Sequence, residues 1–331
     1  LQPLTYTYRG VQETPGERSA LLDYFGDNLA QVILRKESTW NIYGKLSYYE
    51  LSHIVSPTDP EKRVINLPKD LLELSLRNTM VNEEPFRSKL KENTGLRPVR
   101  LLAMSLPGAR AWQSVQDIVG KGTEELYRPP VLVRAYPNKA GLVICRRNML
   151  GEDQFKYHVI KNFDQKESGE ISGQLSDDAS DDPLNYLGKV GDDEFLATFR
   201  TDREWLKFSH EHEMPIAIFS LVRVLTLSPR LENNIQHIAS IPDFILVANR
   251  GFNFNSSYTT ESDHGAFSKE ESQVVFYVSD IKSSDKGTPQ KFETPILTRD
   301  IAPTVMEYLG FDVHALSQGQ SMKSTVERIN P

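Results

Sequence analysis

The chain of 331 residues carries 38 Lys and Arg against 45 Asp and Glu, a net charge of −7, with 39% hydrophobic and 25% charged residues. These proportions are those of a soluble globular protein, long enough for one large α/β domain or two domains. They argue against a dedicated nucleic-acid binder, which would normally carry a basic face, while leaving room for local basic patches, and no apolar run reaches the roughly 18 residues of a membrane span. The single cysteine, Cys145, rules out an internal disulfide or a cysteine-cluster zinc site. Lying in the apolar "AGLVICRRN", it reads as a buried structural thiol, and a reducing cytoplasm is the expected compartment.

The opening "LQPLTYTYRG" has neither an initiator Met nor a signal pattern, so a mature, trimmed or partial chain is expected. Residues 1–97 form a mixed α/β segment rich in tyrosine and charge. In "PGERSALLDYFGDNLAQVILRK", Leu21, Leu22, Phe25, Leu29 and Val32 fall near helical spacing and predict an amphipathic helix. "LPKDLLELSLRNTMV" predicts another helix, and "TWNIYGKLSYYELSHIVSP" a strand or hairpin. Trp40, Tyr43, Tyr48 and Tyr49 form an aromatic group that suits a core cluster or a binding surface.

Near residue 98 the pattern changes. Val99 to Met104 is a short apolar run, Ser105-Leu106-Pro107-Gly108 a turn, and Trp112, Val115 and Val119 carry a helical period, together a strand-turn-helix unit. "PPVLVRAY", "AGLVICRR" and "KYHVIKN" predict three further strands. Residues 164–193, rich in Ser, Gly and Asp, read as an exposed loop; Asp177, Asp178, Asp181 and Asp182 lack the spacing of a calcium loop and are expected to be solvated. His210 and His212 would share a face only on a strand, whereas "DREWLKFSHEHEMP" resembles a helix ending before Met214-Pro215.

"DFILVAN" (243–249) and "SQVVFYVSD" (272–280) are continuous apolar runs, the mark of strands covered on both faces. "TRDIAPTVMEYLGF" predicts a helix with Thr298 and Asp300 as capping candidates, Pro303 in the first turn, Gly310 as a stop, and Ile301, Val305 and Leu309 as the buried stripe. Between the two strands lies Asp263-His264-Gly265. An imidazole beside a carboxylate suits a divalent metal, and the following glycine keeps side-chain bulk away from it. Open α/β sheets bind ligands at the carboxyl edge of their strands, where this loop is expected.

The series "PDFILVANRGFNF", "DHGAFSKEESQVVFYVS", "TPILTRDIAPTVMEYLGF" and "GQSM" resembles the carboxy-terminal part of the alkaline phosphatase superfamily, nearest the type I phosphodiesterase and nucleotide pyrophosphatase branch. The upstream "DDPLNYL" and "FLATFRTDREWLKFSHEHEMPIAIFSLVRVL" look similar to its connecting segment. The resemblance runs over residues 180–322 and more faintly back to 98. It implies a three-layer α/β/α sandwich of alkaline phosphatase type over 98–331, with 1–97 as a segment of unknown role. It also implies a pair of divalent metals, zinc or manganese, and a phosphorylated small molecule or nucleotide as substrate. His264 matches the late metal ligand of such proteins, with Asp263 beside it. The other ligands implied by the resemblance come largely from the amino-terminal half of such proteins and cannot be placed here; the turn after the first strand offers Ser105 but no acid. Two functions follow: a metal-dependent hydrolase of phosphodiester or phosphomonoester bonds, or a catalytically degenerate phosphatase-fold module that binds a partner or phosphorylated ligand.

Overall fold

The computed structural model describes residues 20–24, 29–34, 69, 72, 99–106, 109–120, 126–165, 170–188, 191–226, 242, 244–249, 267–273, 295–312 and 319–323. Its strands are β1 (Ala20–Tyr24), β2 (Leu29–Leu34), β3 (Val99–Ser105), β4 (Val131–Ala135), β5 (Lys139–Arg147), β6 (Asp153–Gln165), β7 (Ile171–Ser176), β8 (Arg200–Thr201) and β9 (Phe244–Ala248). Its helices are α1 (Ala109–Val119), α2 (Asp192–Leu196), α3 (Asp202–Ser209), α4 (Ala217–Leu225), α5 (Lys269–Ser272) and α6 (Ile301–Tyr308).

All nine strands join one sheet in the order β1-β2-β9-β3-β4-β5-β6-β7, with β8 also on β6. Every pairing is antiparallel. The protein is thus a mixed α/β structure around an antiparallel sheet.

Alternation along the strands sorts the core into two clusters. Leu101, Ala103, Val131, Val133, Val143, Cys145, Phe155, Tyr157, Ile245 and Val247 gather with Trp205, Leu206, Ile218, Leu221, Val222 and Leu225 of α3 and α4. The intervening Leu102, Met104, Leu132, Leu142, Ile144, Ile160, Phe244 and Leu246 gather with Val115 of α1 and with Leu72. Side chains of period two point to opposite faces, so each face has its own helical cover. This is why β3, β4 and β9 read as unbroken apolar runs although their neighbours are antiparallel: two-sided burial, and not strand direction, produces the pattern.

Three segments differ from expectation. Residues 20–34 supply the antiparallel strands β1 and β2, not an amphipathic helix; Leu29 to Val32 pair with Phe244 to Val247 of β9. Pairing with β9, more than 200 residues downstream, outweighs a short run of helical spacing. Within 164–193, "ISGQLS" pairs with β6 as β7, and Asp182 and Asp192 are buried, Asp182 because the Tyr157 hydroxyl and nearby N–H groups supply donors that composition does not reveal. In α6 the buried residues are Pro303 and Thr304, whereas Val305 and Leu309 are 47% and 67% exposed. The helix is held by polar contacts at its first turn and not by the apolar stripe its spacing suggested.

The strands expected at 99–104, "PPVLVRAY", "AGLVICRR", "KYHVIKN" and 243–249 are found as β3, β4, β5, β6 and β9, and the helices over 109–119 and 301–308 as α1 and α6. Trp40, Tyr43, Tyr48, Tyr49 and residues 274–280 lie outside the described residues. Among the described residues, no helix is long and apolar enough to cross a membrane.

Candidate functional site

The candidate site begins at the carboxyl end of β9. Ala248 pairs with Val99 where β3 starts, and the next residue of β3, Arg100, forms an ion pair with Glu213 in the turn between α3 and α4. Asn185, held at φ +57, donates to the same Glu213 carboxylate at 3.1 Å. The chain is described again from Phe267, buried in the core against α3 and α4. There Lys269 donates its backbone N–H to the Glu213 carbonyl at 2.9 Å and pairs through its ammonium with Glu211, and Gln273 donates to the His210 carbonyl at 2.7 Å. Lys269 and Gln273 are thus anchored on one polar turn, His210 to Glu213, which Arg100, the neighbour of the Ala248 partner Val99, also reaches. Asp263 and His264 lie between these anchors but outside the described residues. Among the described residues, no group of three or more His, Cys, Asp or Glu is placed to hold a metal ion.

A second polar centre joins distant motifs. Asp300, fully buried, accepts from both terminal nitrogens of Arg203 at 2.9 and 2.5 Å, from the N–H of Leu297 at 3.0 Å and from the N–H of Gln320 at 3.0 Å. Burial alone would raise its pKa; the hydrogen bonds from Arg203, Gln320 and Leu297 outweigh that and hold the carboxyl below its ordinary range. Beside it Asp202 takes ion pairs from Arg223 and Arg299. Thr304 accepts the N–H of Met322 at 2.9 Å. The "DIAPT" segment is thereby stitched to "GQSM". Gly319 is needed for this approach, since a Cβ there would sit 1.9 Å from the carbonyl oxygen of Arg299.

A third centre surrounds Asp182, also fully buried. Its carboxylate accepts from the Tyr157 hydroxyl at 2.7 Å and from the N–H groups of Leu184, Tyr186 and Leu187 at 2.8, 2.6 and 2.9 Å. The ring of Tyr157 crosses Gly141, where a Cβ would meet it at 2.6 Å. Sequence reading passed over this Asp as a solvated charge; the available signal was "DDPLNYL", an Asp followed by donors in a chain that cannot continue as a regular element through Pro183.

His210 and His212 diverge, as the helical reading required. His210 is at the end of α3 with Nδ1 2.7 Å from the Lys207 carbonyl, whereas His212 is buried, stacked on Phe208 at 4.8 Å and edge-on to Tyr186 at 5.5 Å. Cys145 is buried as expected, and burial foremost, then the Asp153 charge, pushes its thiol up to about 12, so it carries no nucleophilic thiolate near neutrality. Ser105 is buried at the end of β3. His158, on the α1 side of β6, is held down to about 3 by burial and then by the Lys156 charge.

No family model, curated protein or solved structure matches the chain.

Proposed function

We propose that this protein is a metal-dependent hydrolase of phosphodiester or phosphomonoester bonds, built on the three-layer α/β/α sandwich of the alkaline phosphatase superfamily. The observation that carries this reading is the interlock of two segments quoted for the resemblance. Asp300 and Thr304 of "TRDIAPT" accept the N–H groups of Gln320 and Met322 in "GQSM", across about twenty residues of sequence, with Gly319 fitted against Arg299. Motifs that co-occur because they touch have a physical reason to appear together. Helical cover on both faces of the sheet supports the layered arrangement.

In this reading His264 is a metal ligand, and Asp263 ligates the ion or orients the imidazole. Imidazole and carboxylate donors suit zinc or manganese. A bound metal would supply charge stabilisation to a phosphoryl oxygen. The anchored turn at His210 to Glu213 supports the reading by fixing the chain at Lys269 and Gln273, just downstream of these two residues. The substrate would be a phosphorylated small molecule or nucleotide. The buried free thiol of Cys145 is in keeping with a reducing cytoplasm.

Metal analysis of the purified protein, with hydrolysis of a generic phosphodiester and a phosphomonoester in added zinc or manganese, tests this. His264→Ala should lower metal content and hydrolysis by about 10–100-fold and leave the circular dichroism unchanged. A protein that binds neither metal and cleaves neither ester is the catalytically degenerate binding module instead.

A further inference from the structure

Met149 and Leu150, at the tip of the β5–β6 hairpin, are 105% and 84% exposed, the two most exposed large apolar side chains among the described residues. The turn beneath them is closed. Asn148 donates its N–H to the Glu152 carbonyl and accepts at its own carbonyl from Gly151, each at 2.9 Å. The Asn148 side-chain oxygen accepts from the N–H groups of Leu150 and Glu152 at 3.0 and 2.9 Å, and its amide donates to the Glu152 carboxylate at 2.9 Å. Gly151 sits at φ +80, a conformation its lack of Cβ permits. Such an apex holds its two side chains outward, and several of its amide donors are already satisfied, which lowers the cost of leaving water.

We propose that this hairpin tip inserts into a lipid–water interface, with Met149 and Leu150 entering the acyl boundary. The apolar surface is a knob of two side chains flanked by Asn148, Gly151 and Glu152. That is far short of the roughly 800 Å² per partner of a stable protein interface. A lipid boundary needs no complementary surface and accepts a knob. The charges near the tip agree in position. A strand advances about 3.3 Å per residue, so Arg147 lies about 7 Å behind the apex, within the ~5–10 Å to which interfacial apolar groups penetrate. Arg147 keeps 28% of its side chain exposed, with its guanidinium 4.0 Å over the Tyr127 ring. Of the two acids nearest, Asp153 is shared by Arg128 at 2.9 Å and Arg147 at 3.4 Å, and Glu152 keeps its charge while accepting from Asn148. The exposed part of the Arg147 guanidinium would meet headgroup phosphates as the tip enters. Two side chains give weak, reversible adsorption.

The test is flotation of the full chain with vesicles of phosphatidylcholine, alone and with a minor share of phosphatidylserine. The wild type should float with the vesicles, more so with the anionic lipid. Met149→Ser with Leu150→Ser should cut partitioning by about tenfold or more for each side chain while the thermal melt stays put. As a gain of signal, Met149→Trp should show blue-shifted emission with vesicles and quenching by brominated lipid. The proposal is overturned if the wild type stays in the lipid-free fraction or if the double serine variant floats equally well. It also falls if that variant instead converts a dimer to a monomer on size exclusion, which would make the tip a contact between two copies.

Discussion

Asp182 and Asp300 are both fully buried carboxylates, yet the chain surrounds them differently. Asp182 is met only by neutral donors, a phenol and three backbone N–H groups within five residues of it in sequence. Asp300 is met by a guanidinium 97 residues away and by two N–H groups, one of them twenty residues downstream. The first carboxylate shapes its own loop against β6. The second ties together segments that share no strand. A buried acid can thus organise local backbone or fasten distant pieces, and the chemistry of its donors says which.

The largest effect should separate the two. Asp300→Ala leaves Arg203 without its partner and two N–H groups without an acceptor. The cost should be about 3 kcal/mol, the low end for breaking a buried pair, since Arg203 keeps 26% of its side chain exposed. Denaturant melts measure the loss, and limited proteolysis should cut near residues 319–323 first. Equal protection of that stretch in the variant would break the fastening role.

Asp182→Asn should cost about 2 kcal/mol, because in either orientation the amide NH₂ would face at least one backbone N–H that the carboxylate accepts. Its proteolytic cuts should fall at 182–187 and leave 319–323 protected. A variant that opens both places would join the two centres into one.

Acid should sharpen the contrast further. The Asp300 carboxyl titrates below its ordinary 3.8 in the folded state, so its contribution is complete above that value and is lost as pH falls through the lower folded one. His158 acts in a different window. Its folded pKa of about 3 lies below the ordinary 6.5, so the unfolded chain takes up the proton first and stability falls as pH drops from 6.5 towards 3. Between pH 6.5 and 5 the loss should be about 1–2 kcal/mol. His158→Gln should flatten that limb and leave the one below pH 4, as urea melts at a series of pH values would record. An unchanged slope in the variant would assign the acid sensitivity elsewhere.

The smallest effect serves as a control on the arm that holds Arg203. Thr201 and Glu204 form a reciprocal capping box at the start of α3, which carries Asp202 and Arg203. Thr201→Ala should cost about 1 kcal/mol in a thermal melt and leave protection at 319–323 unchanged, because it frays the helix end without touching the guanidinium. Release of the tail in this variant would show that the cap positions Arg203.

From the sequence by itself followed the elements whose local pattern and burial agree, β3, β4, β5, β9 and α1, together with the position, though not the buried face, of α6 and the inert thiol of Cys145. Two-sided burial writes itself into a strand as an unbroken apolar run, and that reading held for β9. The conversion of residues 20–34 into strands was decided by tertiary structure, because the partner that satisfies β2, the edge of β9, lies more than 200 residues downstream. The same is true of Asp182 and Asp300. A carboxylate reads as a surface charge until the fold brings donors to it, and neither the Tyr157 hydroxyl nor the Arg203 guanidinium stands near its acid in sequence. For the candidate site, sequence offered the Asp263-His264 pair. Tertiary structure added the anchored turn, Arg100, Asn185, Glu211, Glu213 and Lys269, whose contacts span 28 to 113 residues and leave no periodic trace in the chain.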